Sequence, residues 1–89
     1  MQEATLTIVN RLGLHARAAA KFVNLAKTFS STIALSKDDV HADGKSIMSV
    51  MLLAAPVGSQ IGLSVDGADE TEAFTALREL IDSAFGEEE

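Results

Sequence analysis

The spacing of apolar residues changes period between residues 8 and 16, so the chain must fold as a mixture of strand and helix. Ala4, Leu6 and Ile8 alternate with Thr5 and Thr7, the period of two expected of a strand with one face buried. From Ala16 the period becomes helical. Ala19, Phe22, Val23, Ala26 and Phe29 fall on one side of a helical wheel, with Lys21, Asn24 and Lys27 elsewhere around it. The stretch between, Asn10 to Leu14, contains Gly13 and reads as a loop. The helix is expected to fade near Phe29, Ser30 and Ser31.

The same two periods recur. Thr32 to Ser36 reads as a second strand, Lys37-Asp38-Asp39 as a turn, and Val40 to Ala42 as a short third strand, together a hairpin. The loop Asp43 to Ser46 ends on a good N-cap, and Ile47 to Leu53 follows as a short helix whose end is signalled by Pro56 and Gly58. Ile61, Leu63 and Val65 alternate with polar or small residues as a fourth strand. Asp69 is positioned to cap a last helix. Glu70 and Glu72 suit its positive end, and Ala73, Phe74, Leu77, Leu80, Ile81, Ala84 and Phe85 form its apolar stripe. The order β-α-β-β-α-β-α predicts an α+β open-faced two-layer sandwich, a four-stranded antiparallel sheet with three helices on one face.

Eighty-nine residues hold one core, so residues 1–86 are expected to form a single domain, with Glu87, Glu88 and Glu89 as an acidic end. Without cysteine there is no disulfide, thiolate metal site or thiol catalysis, and the chain is expected to be cytoplasmic. No stretch has the features of a signal peptide, and the longest mainly apolar run, Ile47 to Val57, is too short to span a bilayer, so no membrane insertion is expected. A net charge of -6 argues against a general nucleic-acid binder. The charge is unevenly placed: residues 4–37 contain no acid but include Arg11, Arg17, Lys21, Lys27 and Lys37. That block suits either attraction to the chain's own acidic half or an encounter with something anionic.

His15 sits where the first helix is expected to begin, within that acid-free block. The first N–H groups of a helix lack internal partners and, with the helix dipole, make a site for an anion. Arg17 in the first turn can add a charge-assisted bond to a phosphate-like group, although a cation at a bare helix start is unfavourable. The same surroundings disfavour an imidazolium, so the ring of His15 is expected to present a nitrogen lone pair, a nucleophile for a phosphoryl group. The amides of Ala16 and Arg17 and the Arg17 guanidinium would then hold the phosphoryl oxygens.

Gly13-Leu14-His15-Ala16-Arg17 resembles the active-site signature of HPr, the histidine-containing phosphocarrier family of the bacterial phosphotransferase system. Gly44-Lys45-Ser46-Ile47-Met48-Ser49-Val50-Met51 resembles that family's regulatory-serine region, and Gly67-Ala68-Asp69-Glu70 also matches, so the resemblance runs over essentially the whole chain. It implies phosphorylation of His15 on Nδ1 by enzyme I, with phosphoenolpyruvate as the original donor, and onward transfer to an enzyme IIA domain. It also implies stabilisation of the group by Arg17, a regulatory phosphorylation of Ser46 by HPr kinase/phosphorylase, and an apolar docking patch of Ile47, Met48 and Met51 beside His15. A carrier must bind its partners transiently, so a modest interface with a charged rim is expected, with Arg17 and Lys21 as rim candidates. No cofactor and no metal are implied, and a monomer is expected. The chain would be a macromolecular substrate rather than an enzyme. The alternative is a regulatory phosphorelay or binding module of the nitrogen-related branch, uncoupled from sugar transport. One departure is Ala18, where many members carry Pro; alanine is a good helix former, so the helix is expected to persist.

Several of these residues also admit plainer readings. Ser46 before an apolar helix is also an ordinary N-cap, worth about 1 kcal/mol. Gly44-Lys45-Ser46 imitates the end of a phosphate-binding loop, but the glycine that pattern needs five residues earlier is Asp39. His41 lies in a polar strand without a flanking motif and reads as a surface residue, and the two histidines form no metal spacing. Met48 and Met51 share a helical face that suits either core packing or an adaptable binding surface. An acyl carrier is also small, acidic and serine-modified, but it is all-helical, which the alternating strands contradict.

Overall fold

A computed structural model describes residues 1–86; the acidic end at 87–89 lies outside the described residues. The elements are β1 (Gln2–Thr7), α1 (Ala16–Ala26), β2 (Thr32–Lys37), β3 (Val40–Asp43), α2 (Ile47–Met51), β4 (Gln60–Asp66) and α3 (Glu70–Asp82), followed by a 3₁₀ turn at Ala84–Gly86. The sheet order is β1-β4-β2-β3 and every pairing is antiparallel. The expected open-faced α+β sandwich is the observed one.

Register decides which face is buried. Leu6 lies opposite Ile61, Ile33 opposite Val65, and Leu35 opposite both Leu63 and Ala42. One face is thus a continuous apolar floor, because strand side chains alternate. Ala18, Ala19, Phe22, Val23 and Ala26 of α1 and Ala73, Leu77 and Ile81 of α3 bury their stripes above it. A fully buried side chain such as Phe22 contributes about 1.5–3 kcal/mol over an exposed one. The opposite face carries Glu3, Thr5, Ser36, His41 and Ser64 around a shallow open depression. His41 is exposed there, as its polar strand implies. Ala18 is fully buried in the first turn of α1, and the helix forms without the proline.

Three expectations are corrected. The helix predicted over Ile47 to Leu53 ends at Met51, because Leu53 and Ala54 bond back only three residues, to Val50 and Met51, and Ala54 takes a left-handed φ of 48°. The stripe of α3 does not continue as helix to Phe85. The helix stops at Asp82, Ala84 and Phe85 turn through left-handed φ values of 59° and 58°, and this brings Phe85 into the core at 1% exposure. The burial of that ring offsets a conformation that bulky residues rarely adopt.

The third concerns Asp69, which precedes α3 but gives it no side-chain cap. Its carboxylate instead accepts the Ser30 N–H at 2.8 Å, the Ser31 N–H at 3.0 Å and the Ser31 hydroxyl. These bonds favour the charged form and hold the carboxyl at about 2, chiefly through Ser31 and then Ser30. Glu70 Oε1 accepts the Gly67 N–H at 3.3 Å, closing the turn just ahead of the helix. No helix among the described residues is long and apolar enough to cross a membrane.

Candidate functional site

Because β1 pairs with β4, the chain leaving β1 runs beside the chain entering β4. Ile8 extends that pairing: its N–H donates to the Ser59 carbonyl at 2.9 Å and its carbonyl accepts from Gly58 at 2.7 Å. The loop that carries His15 is thereby laid on the loop that follows α2. Leu14 N–H donates to the Ala55 carbonyl at 2.8 Å. Gly13 has φ +71°, and a Cβ there would stand 2.6 Å from the same carbonyl oxygen. Only glycine meets both conditions, the left-handed backbone and the close approach.

The turn before His15 is closed by Gly13 N–H to the Asn10 carbonyl at 3.1 Å and by Asn10 Nδ2–H to the Gly13 carbonyl at 2.6 Å. His15 N–H also reaches the Gly13 carbonyl, at 3.0 Å. His15 then takes extended backbone angles, φ -86° and ψ 179°, and is the N-cap of α1. The first helical bond runs from Ala19 N–H to the His15 carbonyl at 2.8 Å. The amides of Ala16 and Arg17 therefore precede the helical ladder, as expected of a helix start.

One of them is aimed at the ring. Arg17 N–H donates to His15 Nδ1 at 3.3 Å. An accepting Nδ1 must carry a lone pair, so the proton of the neutral ring is on Nε2. The cap thus turns the Nδ1 edge of the ring, with its lone pair, toward the start of α1. No acid lies in the first turn of α1, and the Arg17 and Ala16 side chains are exposed.

Ser46 caps α2, its Oγ accepting the Ser49 N–H at 3.3 Å. The residue before it, Lys45, reaches across to the Phe29 carbonyl at 2.7 Å. Helix α2 packs against α1. Met48 is 77% exposed and Met51 43%, so neither methionine is packed into the core. Ile47 is 38% exposed. Lys21 donates to the Phe85 carbonyl at 2.9 Å, tying α1 to the turn after α3. Among the described residues, no group of three or more His, Cys, Asp or Glu side chains could hold a metal ion.

Sequence reasoning passed over Asn10 and three surface residues. Leu12, Leu52 and Val57 are exposed, with Leu12 in the His15 loop and the other two flanking Ala55, on which that loop rests. The signal for Asn10 was present in Asn10-Arg11-Leu12-Gly13, where Asn first and Gly fourth are preferred in a β-turn. Leu12 and Val57 gave no signal, because a helical wheel does not describe loops; Leu52 lies four residues after Met48 in the predicted helix and shares its face.

A family model described as "PTS HPr component phosphorylation site" matches residues 2–83. The chain belongs to the HPr family. It is 51% identical to the phosphocarrier protein HPr of Cupriavidus necator and 49% identical to that of Neisseria meningitidis serogroup A, each over 89 residues and the whole of both chains. The crystal structure of HPr from Thermoanaerobacter tengcongensis superposes with a TM-score of 0.95 at 49% identity, covering all of both chains. This HPr-family chain thus shares the fold of its relatives over its whole length, consistent with a phosphocarrier of the phosphotransferase system.

Proposed function

We infer that this chain is a phosphoryl carrier that accepts the group on His15 Nδ1 from enzyme I, with phosphoenolpyruvate as the original donor. It passes the group to an enzyme IIA domain, for sugar uptake, regulation or both. The observation that carries this reading is the Arg17 N–H on His15 Nδ1. The Nδ1 lone pair attacks phosphorus as the bond to the donor breaks. The amide that faced the lone pair, with that of Ala16, is then placed to meet a phosphoryl oxygen, and the Arg17 guanidinium adds a charge-assisted bond. Such transfer depends mainly on positioning and charge stabilisation, which a preformed helix start supplies. The chain itself is a substrate of larger partners in the cytoplasm and not an enzyme.

Ile47, Met48 and Met51, joined by Leu12, Leu52 and Val57, supply the apolar centre of the docking surface, with Arg17 and Lys21 on its rim. A phosphoryl group on Ser46, added by an HPr kinase/phosphorylase, would place about -1.5 to -2 charges beside that centre and repel an acidic partner.

Purified enzyme I and phosphoenolpyruvate test the reading, followed by intact mass and phosphorus NMR on wild type, His15→Ala and Ser46→Ala. The expected result is an acid-labile phosphate on wild type and Ser46→Ala and none on His15→Ala. An unlabelled wild type with an active cognate enzyme I would overturn the reading. The docking surface is tested by Met48→Glu, expected to raise the KM of enzyme I for the carrier about tenfold, one charged group in an apolar contact being worth roughly 1.4 kcal/mol, without lowering Tm.

A further inference from the structure

The alternation of β1 runs Ala4, Leu6, Ile8 and then Asn10, an amide where the pattern calls for an apolar residue. Asn10 is as deeply buried as Ile8, both at 0% exposure. A buried amide is costly unless bonded, so a residue that only filled this place would be apolar. Asn10 differs from a leucine of similar size in its ability to donate, and its Nδ2–H donates to the Gly13 carbonyl at 2.6 Å. That carbonyl also accepts the His15 N–H at 3.0 Å, so it is held between the Asn10 amide and the His15 backbone. On its other side Gly13 is pressed against the Ala55 carbonyl. The hinge is thus held by the Asn10 side chain, by the backbone bonds from Gly13 to Asn10 and from Leu14 to Ala55, and by the wall of the Ala55 carbonyl. The His15 angles that follow from this hinge bring Nδ1 to the Arg17 amide.

We propose that Asn10 is a positioning residue for His15: by fixing the Gly13 carbonyl, it sets the ring so that Nδ1 faces the Arg17 amide and carries the lone pair. The proposal rests on the carrier reading above, and its test separates the two.

Asn10→Leu and Asn10→Ala both remove the donor, the first keeping most of the volume and the second avoiding any clash. Carrier concentration is varied in the enzyme I reaction, and nitrogen shifts of the His15 ring are recorded by NMR. Asn10 variants are expected to lower kcat about tenfold while leaving KM within about twofold, the effect of a misplaced reacting atom. Their ring signals should move from the Nε2–H tautomer toward a mixture. Leu77→Ala, a core truncation in α3, serves as the control for lost stability and is expected to change neither. In the unmodified protein, the Asn10 side-chain amide protons should exchange more slowly than those of exposed Asn24.

A wild type that is not labelled on His15 would fail the carrier reading itself. A labelled wild type with Asn10 variants at wild-type kcat and tautomer would overturn the positioning role. So would a Leu77→Ala variant that shifts both as much as Asn10→Ala. Equal exchange of the Asn10 and Asn24 amides would overturn it even if no Asn10 variant folded.

Discussion

The residues at the starts of α1 and α3 do opposite things. His15 caps its own helix: Nδ1 takes the Arg17 amide, and no acid occupies the first turn. Asp69 turns away from its helix. Its carboxylate is used by Ser30 and Ser31, fastening the segment between α1 and β2 to the start of α3, while Glu70 and Glu72 supply negative charge to the first turn. One helix start has no acid in its first turn and a side-chain lone pair at its mouth. The other is neutralised and serves architecture. Ser46 stands between them, an ordinary cap on Ser49 that shares a helix with exposed methionines. A helix N-terminus favours an anion in every case; whether it becomes a chemical site depends on what already occupies it.

The sharpest way to break this comparison is to give α1 the residue that begins α3. His15→Asp introduces a better conventional cap, so thermal stability should hold or rise by a few tenths of a kcal/mol to about 1 kcal/mol. Phosphoryl acceptance should vanish entirely, as read by intact mass. A loss of stability with that substitution would mean that the imidazole makes contacts beyond the cap.

The next largest effect is on acid stability. The Asp69 carboxyl is held at about 2, below its ordinary 3.8, so the charged form is the one the fold prefers. The stability it supplies is therefore complete above about pH 4 and is lost as pH falls through about 2. The neutral amide of an Asp69→Asn variant has no charge to lose. That variant should be less stable than wild type at neutral pH, with the difference shrinking as pH is lowered through that window, followed by circular dichroism. Transfer to His15 at neutral pH should be unchanged.

The smallest effect belongs to Ser46→Ala, which removes a cap and should cost about 1 kcal/mol without altering phosphoryl acceptance. Ser46→Asp restores a capping oxygen and adds charge. It should recover that stability and slow transfer from enzyme I, and an unchanged rate would separate Ser46 from the docking surface.

The element order, the buried sheet face and the three helices were legible because strand and helix periods are local properties that each segment displays by itself. Gly13, His15, Arg17 and Ser46 were legible for a related reason: a turn glycine and a helix cap act over a few residues. What the tertiary structure decided involves partners distant in sequence. Asp69 sits where a cap belongs, yet its best donors lie 38 and 39 residues away in Ser31 and Ser30. Phe85 continues a helical stripe in sequence, but the core it fills is reached only after the chain turns left-handed. Asn10 occupies a core position with an amide, and its reason appears only when β1 and β4 pair and lay the hinge on Ala55. Local spacing thus determined the elements and the place of His15 at a helix start, while the competition among distant hydrogen-bond partners, settled only by packing, decided what Asn10, Asp69 and Phe85 contact.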